Sequence, residues 1–131
     1  MKKRVLGLGV VLAVLGAGGT AWAGYRDSIP VVLDSANRTF YASMGGARNA
    51  TDSWSFVEIV FESNGVFGER ALVAARNSSA QMGVCLTTSA AHLAALRSIT
   101  DDGYLRVYWD ANNNCTSIEV RASSYLDMRT P

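Results

Sequence analysis

The sequence is poor in the residues that most often carry catalysis or bind metals. It has one histidine, His92, and two cysteines, Cys85 and Cys115, in 131 residues. A histidine base needs a nucleophile and an orienting partner, and no motif in the sequence supplies them. A usual zinc site needs three or four His and Cys ligands, which this chain cannot assemble once its cysteines are paired. We therefore predict a non-enzymatic protein with no metal site and no cofactor.

The sequence contains only two lysines, Lys2 and Lys3. Without residues 1–23, nine scattered arginines stand against eleven acidic residues, which gives a net charge of −2. Proteins that bind nucleic acid through phosphate contacts need clustered positive charge. We therefore expect no nucleic-acid partner.

A long apolar run occurs only at the N-terminus. A cationic head, Met1 to Arg4, precedes the uncharged run Val5 to Leu15, and Ala21-Trp22-Ala23 supplies a small-x-small end. This order is typical of a secretory signal, and the run is shorter than the roughly 20 residues of a membrane span. We expect residues 1–23 to be a cleaved signal peptide and residues 24–131 to be a single domain, exported to the periplasm or the medium, with no membrane span after cleavage. The alternative is an uncleaved anchor helix.

Export also bears on the two cysteines. An even cysteine count in an oxidising compartment favours a disulfide, here between Cys85 and Cys115. On the chain-entropy model, closing a loop of about 30 residues contributes roughly 3–4 kcal/mol. The less favoured alternative is two free thiols or one catalytic thiol.

The order of predicted elements indicates a fold class. The alternation and turn signals predict strands at Trp54–Glu62, Arg70–Arg76, Gly83–Thr87, Tyr104–Asp110 and Cys115–Ser123, a helix from Ala90 to about Asp101, and short strand-like segments at Val31–Leu33 and Thr39–Met44. Five strands with a helix between the third and fourth fit the oligonucleotide/oligosaccharide-binding (OB) barrel. We predict a mainly β chain with one helix, in a small OB-like five-stranded barrel.

Both hairpins can be given a predicted register. In the first, a turn at Asn64-Gly65, tight or opening to Gly68, puts Val57, Ile59 and Phe61 on the same face as Leu72 and Ala74. In the second, the inner pairs are Leu105 with Val120, Val107 with Ile118 and Trp109 with Thr116, and the outer pairs are Arg106 with Glu119, Tyr108 with Ser117 and Tyr104 with Arg121.

Exposed aromatic residues of the second hairpin are the candidate ligand-binding residues. On this register Tyr104 and Tyr108 point outward beside arginines, and Trp109 precedes a turn that carries Asn112 and Asn113. A flat ring next to polar groups suits a sugar, which offers hydroxyls and an apolar face. The alternative is that the aromatic pairs only stabilise the sheet.

The predicted helix has an unusual outward face. Projection at 3.6 residues per turn puts His92, Leu93, Leu96 and Ile99 on one stripe, and leaves Ala90, Ala91, Ala94 and Ser98 on the other side. Small, nearly uncharged residues gain little from water and allow two helices to approach closely. We expect them to form an oligomer interface.

Four features together resemble the B subunits of AB5-type bacterial toxins, especially the subtilase-cytotoxin-like group with an OB fold. They are Gly-Val-Cys-Leu-Thr-Thr-Ser at 83–89, an alanine-rich helix, Tyr-Leu-Arg-Val-Tyr-Trp at 104–109, and a cysteine at 115 before the last strand. The resemblance covers residues 54–123. It implies a disulfide-bonded barrel, glycan binding, and a ring-shaped homo-oligomer, most simply a pentamer, that accompanies a separate toxin subunit.

Two functions follow from these observations. The first is a secreted, non-enzymatic carbohydrate-binding module, with a toxin-delivery (B-type) subunit as its most specific form. The second is a small periplasmic or secreted protein-binding domain, such as an inhibitor or an envelope accessory factor.

Overall fold

The computed structural model describes residues 28–123 and residue 126, so the predicted signal peptide lies outside the described residues. The described elements are β1 (Val32–Asp34), β2 (Thr39–Ser43), α1 (Met44–Arg48), β3 (Phe56–Asn64), β4 (Gly68–Arg76), β5 (Met82–Thr87), α2 (Ala90–Arg97), β6 (Tyr104–Trp109) and β7 (Cys115–Arg121). The prediction of a mainly β chain is confirmed. Within the described ranges, no helix is both long and apolar enough to cross a membrane.

The strands form two antiparallel sheets, in the orders β1-β2-β6-β7 and β3-β4-β5. These described strands do not close into a barrel, which differs from the five-stranded barrel that we predicted. The strand that we predicted as the first of the barrel is β3, which lies at an edge of its sheet. The strand that pairs with β6 is β2, not β3. The reason lies in β2, where Phe40 and Ala42 alternate inward and are 0% and 1% exposed. Such an apolar inner row makes β2 a well-packed neighbour for β6.

The prediction of a single helix is also wrong, because a second, short helix follows β2. Ser43 caps α1 by accepting a hydrogen bond at its Oγ from the N–H of Gly46 (2.8 Å). Capping by a serine side chain favours a helical turn where the sequence suggests only a strand end and a loop.

The two sheets are joined along a seam between β5 and β7. The predicted disulfide between Cys85 and Cys115 is present, and both cysteines are buried. Beside it, the backbone N–H of Leu86 donates to the carbonyl oxygen of Asn113 (2.8 Å). A parallel bridge between Leu86 and Asn114 continues the same contact.

Helix α2 covers the core as its periodicity predicts, but it is shorter than predicted. Leu93 and Leu96 are buried, and Ser89 is the N-cap. The helix ends at Arg97 because Ser98 is the C-cap, with its hydroxyl donating to the carbonyl oxygen of Ala95 (2.6 Å). The four small residues of the predicted outward face are exposed: Ala90, Ala91, Ala94 and Ser98.

The predicted register of the last hairpin is confirmed from Tyr104–Arg121 to Tyr108–Ser117. A bulge then puts Trp109 opposite Cys115, not Thr116.

Arg106 and Glu119 lie opposite each other as predicted, but their charged groups contact other side chains. Glu119 bonds Arg121, two residues along the same strand, at 2.6 Å. The guanidinium of Arg106 lies 5.0 Å from the ring centre of Tyr41 and 6.0 Å from that of Tyr104.

The register of the first hairpin differs from the prediction by one residue. Asn64 pairs with Gly68, which leaves a three-residue loop. Gly68 has a φ of 68°, as the left-handed residue after such a loop requires. The odd loop length exchanges the faces of β4, so that Val73 and Ala71 lie opposite the inward Ile59 and Phe61. Leu72 and Ala74 lie on the other face of the sheet, where Ala74 is nevertheless buried.

Candidate functional site

An open pocket of about 330 Å³ lies where the β1–β2 turn, the start of β5 and the β6–β7 turn meet. Its lining residues are Ser35, Arg38, Met82, Gly83, Val84, Trp109 and Asn113. The lining combines apolar side chains, an aromatic ring, a cation, an amide and a hydroxyl. It contains no histidine, cysteine or carboxylate. Such a lining provides for binding and offers no general base.

Trp109 forms the aromatic wall of this pocket and is firmly held. Its backbone N–H donates to the carbonyl oxygen of Arg38 (3.0 Å), and its ring lies 6.1 Å from the ring of Phe40, centre to centre. The ring also approaches the backbone at Gly83, where an added Cβ would be 2.7 Å from a ring carbon. Glycine at position 83 therefore makes room for the indole.

Asp110 organises the turn on the other side of the pocket. Its Oδ1 accepts hydrogen bonds from the backbone N–H groups of Asn112 (2.8 Å) and Asn114 (3.0 Å). The bond from Asn114 is the largest cause that lowers the pKa of Asp110, and the positive charge of Arg38 acts in the same direction. The ionised carboxylate keeps the turn closed, with Asn113 at a φ of 59° in the pocket lining.

Arg38 is the cation of the pocket. It lies just before β2 at a φ of 49°, and none of the ion pairs within residues 28–123 uses its guanidinium. Its charge acts on the neighbouring Asp110. As a pocket-lining side chain, its guanidinium can also donate hydrogen bonds to a ligand that carries oxygen acceptors.

The structure divides the five predicted ligand-binding residues between two places. Trp109 and Asn113 line the pocket, and Asn112 is exposed in the same turn. Tyr104 and Tyr108 lie on the opposite face of the sheet, opposite Arg121 and Ser117 in the β6–β7 pairing. The five residues therefore do not form one site.

Tyr104 is also not exposed, which corrects the prediction. Only 3% of its surface is accessible, and this burial raises the pKa of its phenol. Guanidinium groups lie against its ring, that of Arg121 at 4.9 Å and that of Arg106 at 6.0 Å from the ring centre. Tyr108, by contrast, is 38% exposed.

Sequence reasoning missed five of the lining residues: Ser35, Arg38, Met82, Gly83 and Val84. Their residue types carry no binding motif. They reach Trp109 only because β2 pairs with β6 and β5 meets β7, which are contacts between distant parts of the chain.

His92 has a packing role in the first turn of α2. Its Nδ1 lies 2.9 Å from the Oγ1 of Thr87, a buried side chain that also accepts a hydrogen bond from the backbone N–H of Ser89. The imidazole thus contributes to the helix start, as a packed histidine does.

Comparison of the chain with protein-family models, with curated proteins and with solved structures found no match. The function is therefore argued from the pocket and the surface, beside the sequence resemblance described above.

Proposed function

We propose that this protein is an exported, non-enzymatic carbohydrate-binding module, and that the sugar binds in the pocket beside Trp109. The observation that carries the proposal is the firmly held indole wall of an open pocket that also presents Arg38 and Asn113. A sugar ring has an apolar C–H face that packs on an aromatic ring. Its hydroxyls need both donors and acceptors, which guanidinium, amide and serine groups supply together.

The disulfide is compatible with an oxidising compartment, and the N-terminal segment supports export. The toxin-delivery form of this function rests on the resemblance of residues 83–89 and 104–109 to B subunits. In that form the proposed module belongs to an OB-like fold family and carries a separate toxin subunit to a glycosylated surface. A gene for a secreted toxin subunit beside its own would support this form.

Binding should depend on the polar residues of the pocket. We expect Arg38→Ala to weaken binding about tenfold or more, since a hydrogen bond to a charged group contributes about 1.5–3 kcal/mol. Asn113→Gly should weaken binding by a smaller factor, since a bond from a neutral amide contributes about 0.5–1.5 kcal/mol. Glycine is chosen at position 113 because it tolerates the positive φ. A glycan array with wild-type protein identifies the ligand, and calorimetry then measures each variant.

The matched control is Tyr108→Ala, which removes an exposed ring on the other face of the same sheet. Binding should survive this change. A loss of binding in Tyr108→Ala but not in Arg38→Ala, at unchanged melting temperature, would move the sugar site to the outer face that the sequence first suggested. No glycan signal from the wild-type protein at any concentration would reject the proposal.

A protein-binding domain is the second candidate function. It is favoured by apolar side chains that the β3–β4 hairpin exposes, among them Val66 (94% exposed) and Phe61 (43% exposed). This candidate takes first place if the array gives no signal.

The exposed face of α2 supports a proposed ring-shaped homo-oligomer. We expect Ala94→Glu to dissociate this assembly, a pentamer by the toxin resemblance, without unfolding the monomer, because Ala94 is exposed in the monomer and a buried unpaired charge opposes association. Light scattering measures the assembly and circular dichroism the fold. Thr116→Glu, at an exposed position on β7, is the control and should leave the mass unchanged. A wild-type monomer at high concentration would contradict the ring.

A further inference from the structure

Among the strands that the structure describes, β3 has a long edge without a partner. It spans nine residues, Phe56–Asn64, pairs only with β4 in its sheet, and does so without a bulge. Edge strands are usually protected by bulges, by proline or lysine, or by short length, since unpaired N–H and C=O groups attract another strand. β3 contains no proline and no lysine, and its charged residues are Glu58 and Glu62.

Two further features lie on this strand, four residues apart. Phe61 is 43% exposed, although its side chain is on the core-facing side, with the guanidinium of Arg97 5.3 Å from its ring centre. Near the start of the strand, a cavity of about 250 Å³ opens beside Val57. The cavity is lined by Met44, Ala47, Arg48, Ser55, Phe56 and Val57. An exposed phenyl ring and a largely apolar cavity of suitable size thus occur on the same edge.

A twofold axis between two copies of the chain would bring these two features together. If β3 pairs antiparallel with β3 of a second copy about Ile59, each Val57 lies opposite Phe61 of the other copy. Each Glu58 then lies opposite Val60, so that no two glutamates face each other. The inner row of the combined strands becomes Val57, Ile59 and Phe61 of both copies, all apolar.

Neighbouring registers are less favourable. An axis at Glu58 puts the two Glu58 carboxylates of the dimer opposite each other. An axis at Val60 puts each Glu58 opposite Glu62 of the other copy. Like charges directly opposite are destabilising. An axis at Phe61 sets each Ile59 against Ser63 and leaves Val57 beyond the paired strand. The axis at Ile59 alone among these four combines apolar inner pairs with separated carboxylates.

We propose that two copies of this chain associate through β3, antiparallel about Ile59, with Phe61 of each copy seated at the cavity beside Val57 of the other. The two three-stranded sheets become one sheet of six strands. The contact is distinct from the exposed face of α2 and does not depend on sugar binding. It puts two Trp109 pockets on one particle.

Cysteine cross-linking tests the axis directly. Opposite residues in an antiparallel pair have Cα atoms about 4.5–5.5 Å apart, within the range of a disulfide. Ile59→Cys should therefore form a covalent dimer under mild oxidation. Val57→Cys, on the same strand and face, should not, because the two positions 57 lie about 13 Å apart. A mixture of Val57→Cys with Phe61→Cys should cross-link one variant to the other.

Introducing a charged side chain into β3 tests the contact without adding a cysteine. We expect Phe61→Lys to weaken self-association about tenfold or more, since it removes the aromatic anchor of the contact and puts a charge in its place. Val66→Lys, an exposed apolar residue at the tip of the same hairpin, is the matched control and should leave it unchanged. Analytical ultracentrifugation of the mature chain measures both.

Each outcome of these experiments is decisive. Cross-linking at position 59 but not at 57, together with dissociation by Phe61→Lys but not by Val66→Lys, supports the dimer. Equal cross-linking at both positions, or a wild-type protein that sediments as a monomer at high concentration, overturns it. An assembly that dissociates with Ala94→Glu but not with Phe61→Lys also overturns it, and leaves the α2 face as the contact.

Discussion

Replacing Cys85 and Cys115 together by alanine should lower the free energy of unfolding by about 3–4 kcal/mol. The disulfide closes a loop with a sequence separation of 30 and joins the two sheets at their seam. Without it, the unfolded chain gains conformational freedom, and the seam retains mainly the backbone contacts of Leu86 with the β6–β7 turn. For a domain of this size, that is a large part of the whole stability.

Urea unfolding of the protein measures this effect. The wild-type protein in reducing agent is the control, and its transition should move toward that of the double variant. A difference below about 1 kcal/mol would show that packing at the seam is sufficient without the bond. Because Val84 and Asn113 line the pocket and adjoin this seam, reduction should also weaken sugar binding under the proposed function.

Replacing Phe40 by alanine should destabilise the protein by about 3–5 kcal/mol, the usual range for a fully buried phenylalanine. Phe40 has no accessible surface, lies opposite Val107 in the β2–β6 pairing and contacts the ring of Trp109. Its removal leaves a cavity between β2 and the second sheet. The aromatic wall of the pocket loses its support at the same time.

The matched control is Tyr41→Ala, the next residue on the same strand, which is half-buried on the outer face. Its loss removes a ring that lies 5.0 Å from the guanidinium of Arg106, and should lower stability by about 1–2 kcal/mol. Thermal and urea melts rank the two variants. Equal effects, or a larger effect at Tyr41, would show that the inward side chains of β2 are not part of the core.

Local features of the fold were predictable where neighbouring residues decide them. The β6–β7 register follows from strict alternation, and the buried and exposed faces of α2 follow from a 3.6-residue period. The first hairpin was predicted wrongly by one residue, because Asn64-Gly65 suggests a tight turn while Gly68 accepts the left-handed conformation that makes a three-residue loop. A difference of one loop residue reverses every side chain of the returning strand.

The candidate site was predictable only in part. Trp109 and Asn113 stood out as an aromatic residue beside a polar turn, and both line the pocket. Tyr104 had the same appearance in the sequence, but it is buried under arginine side chains that alternation alone does not position.

The sequence by itself determined the strand segments and the face of α2 that lies inward, because both depend on short-range periodicity. It also determined the pairing of the two cysteines, because two cysteines allow only one pair. The tertiary structure alone decided which strand occupies the free edge of β6. Two segments of the chain could take that place, β2 and β3, and the choice depends on packing over the whole core. Because β2 occupies it, Arg38 reaches Trp109 to form the pocket, and β3 keeps its edge free for the second copy that we propose.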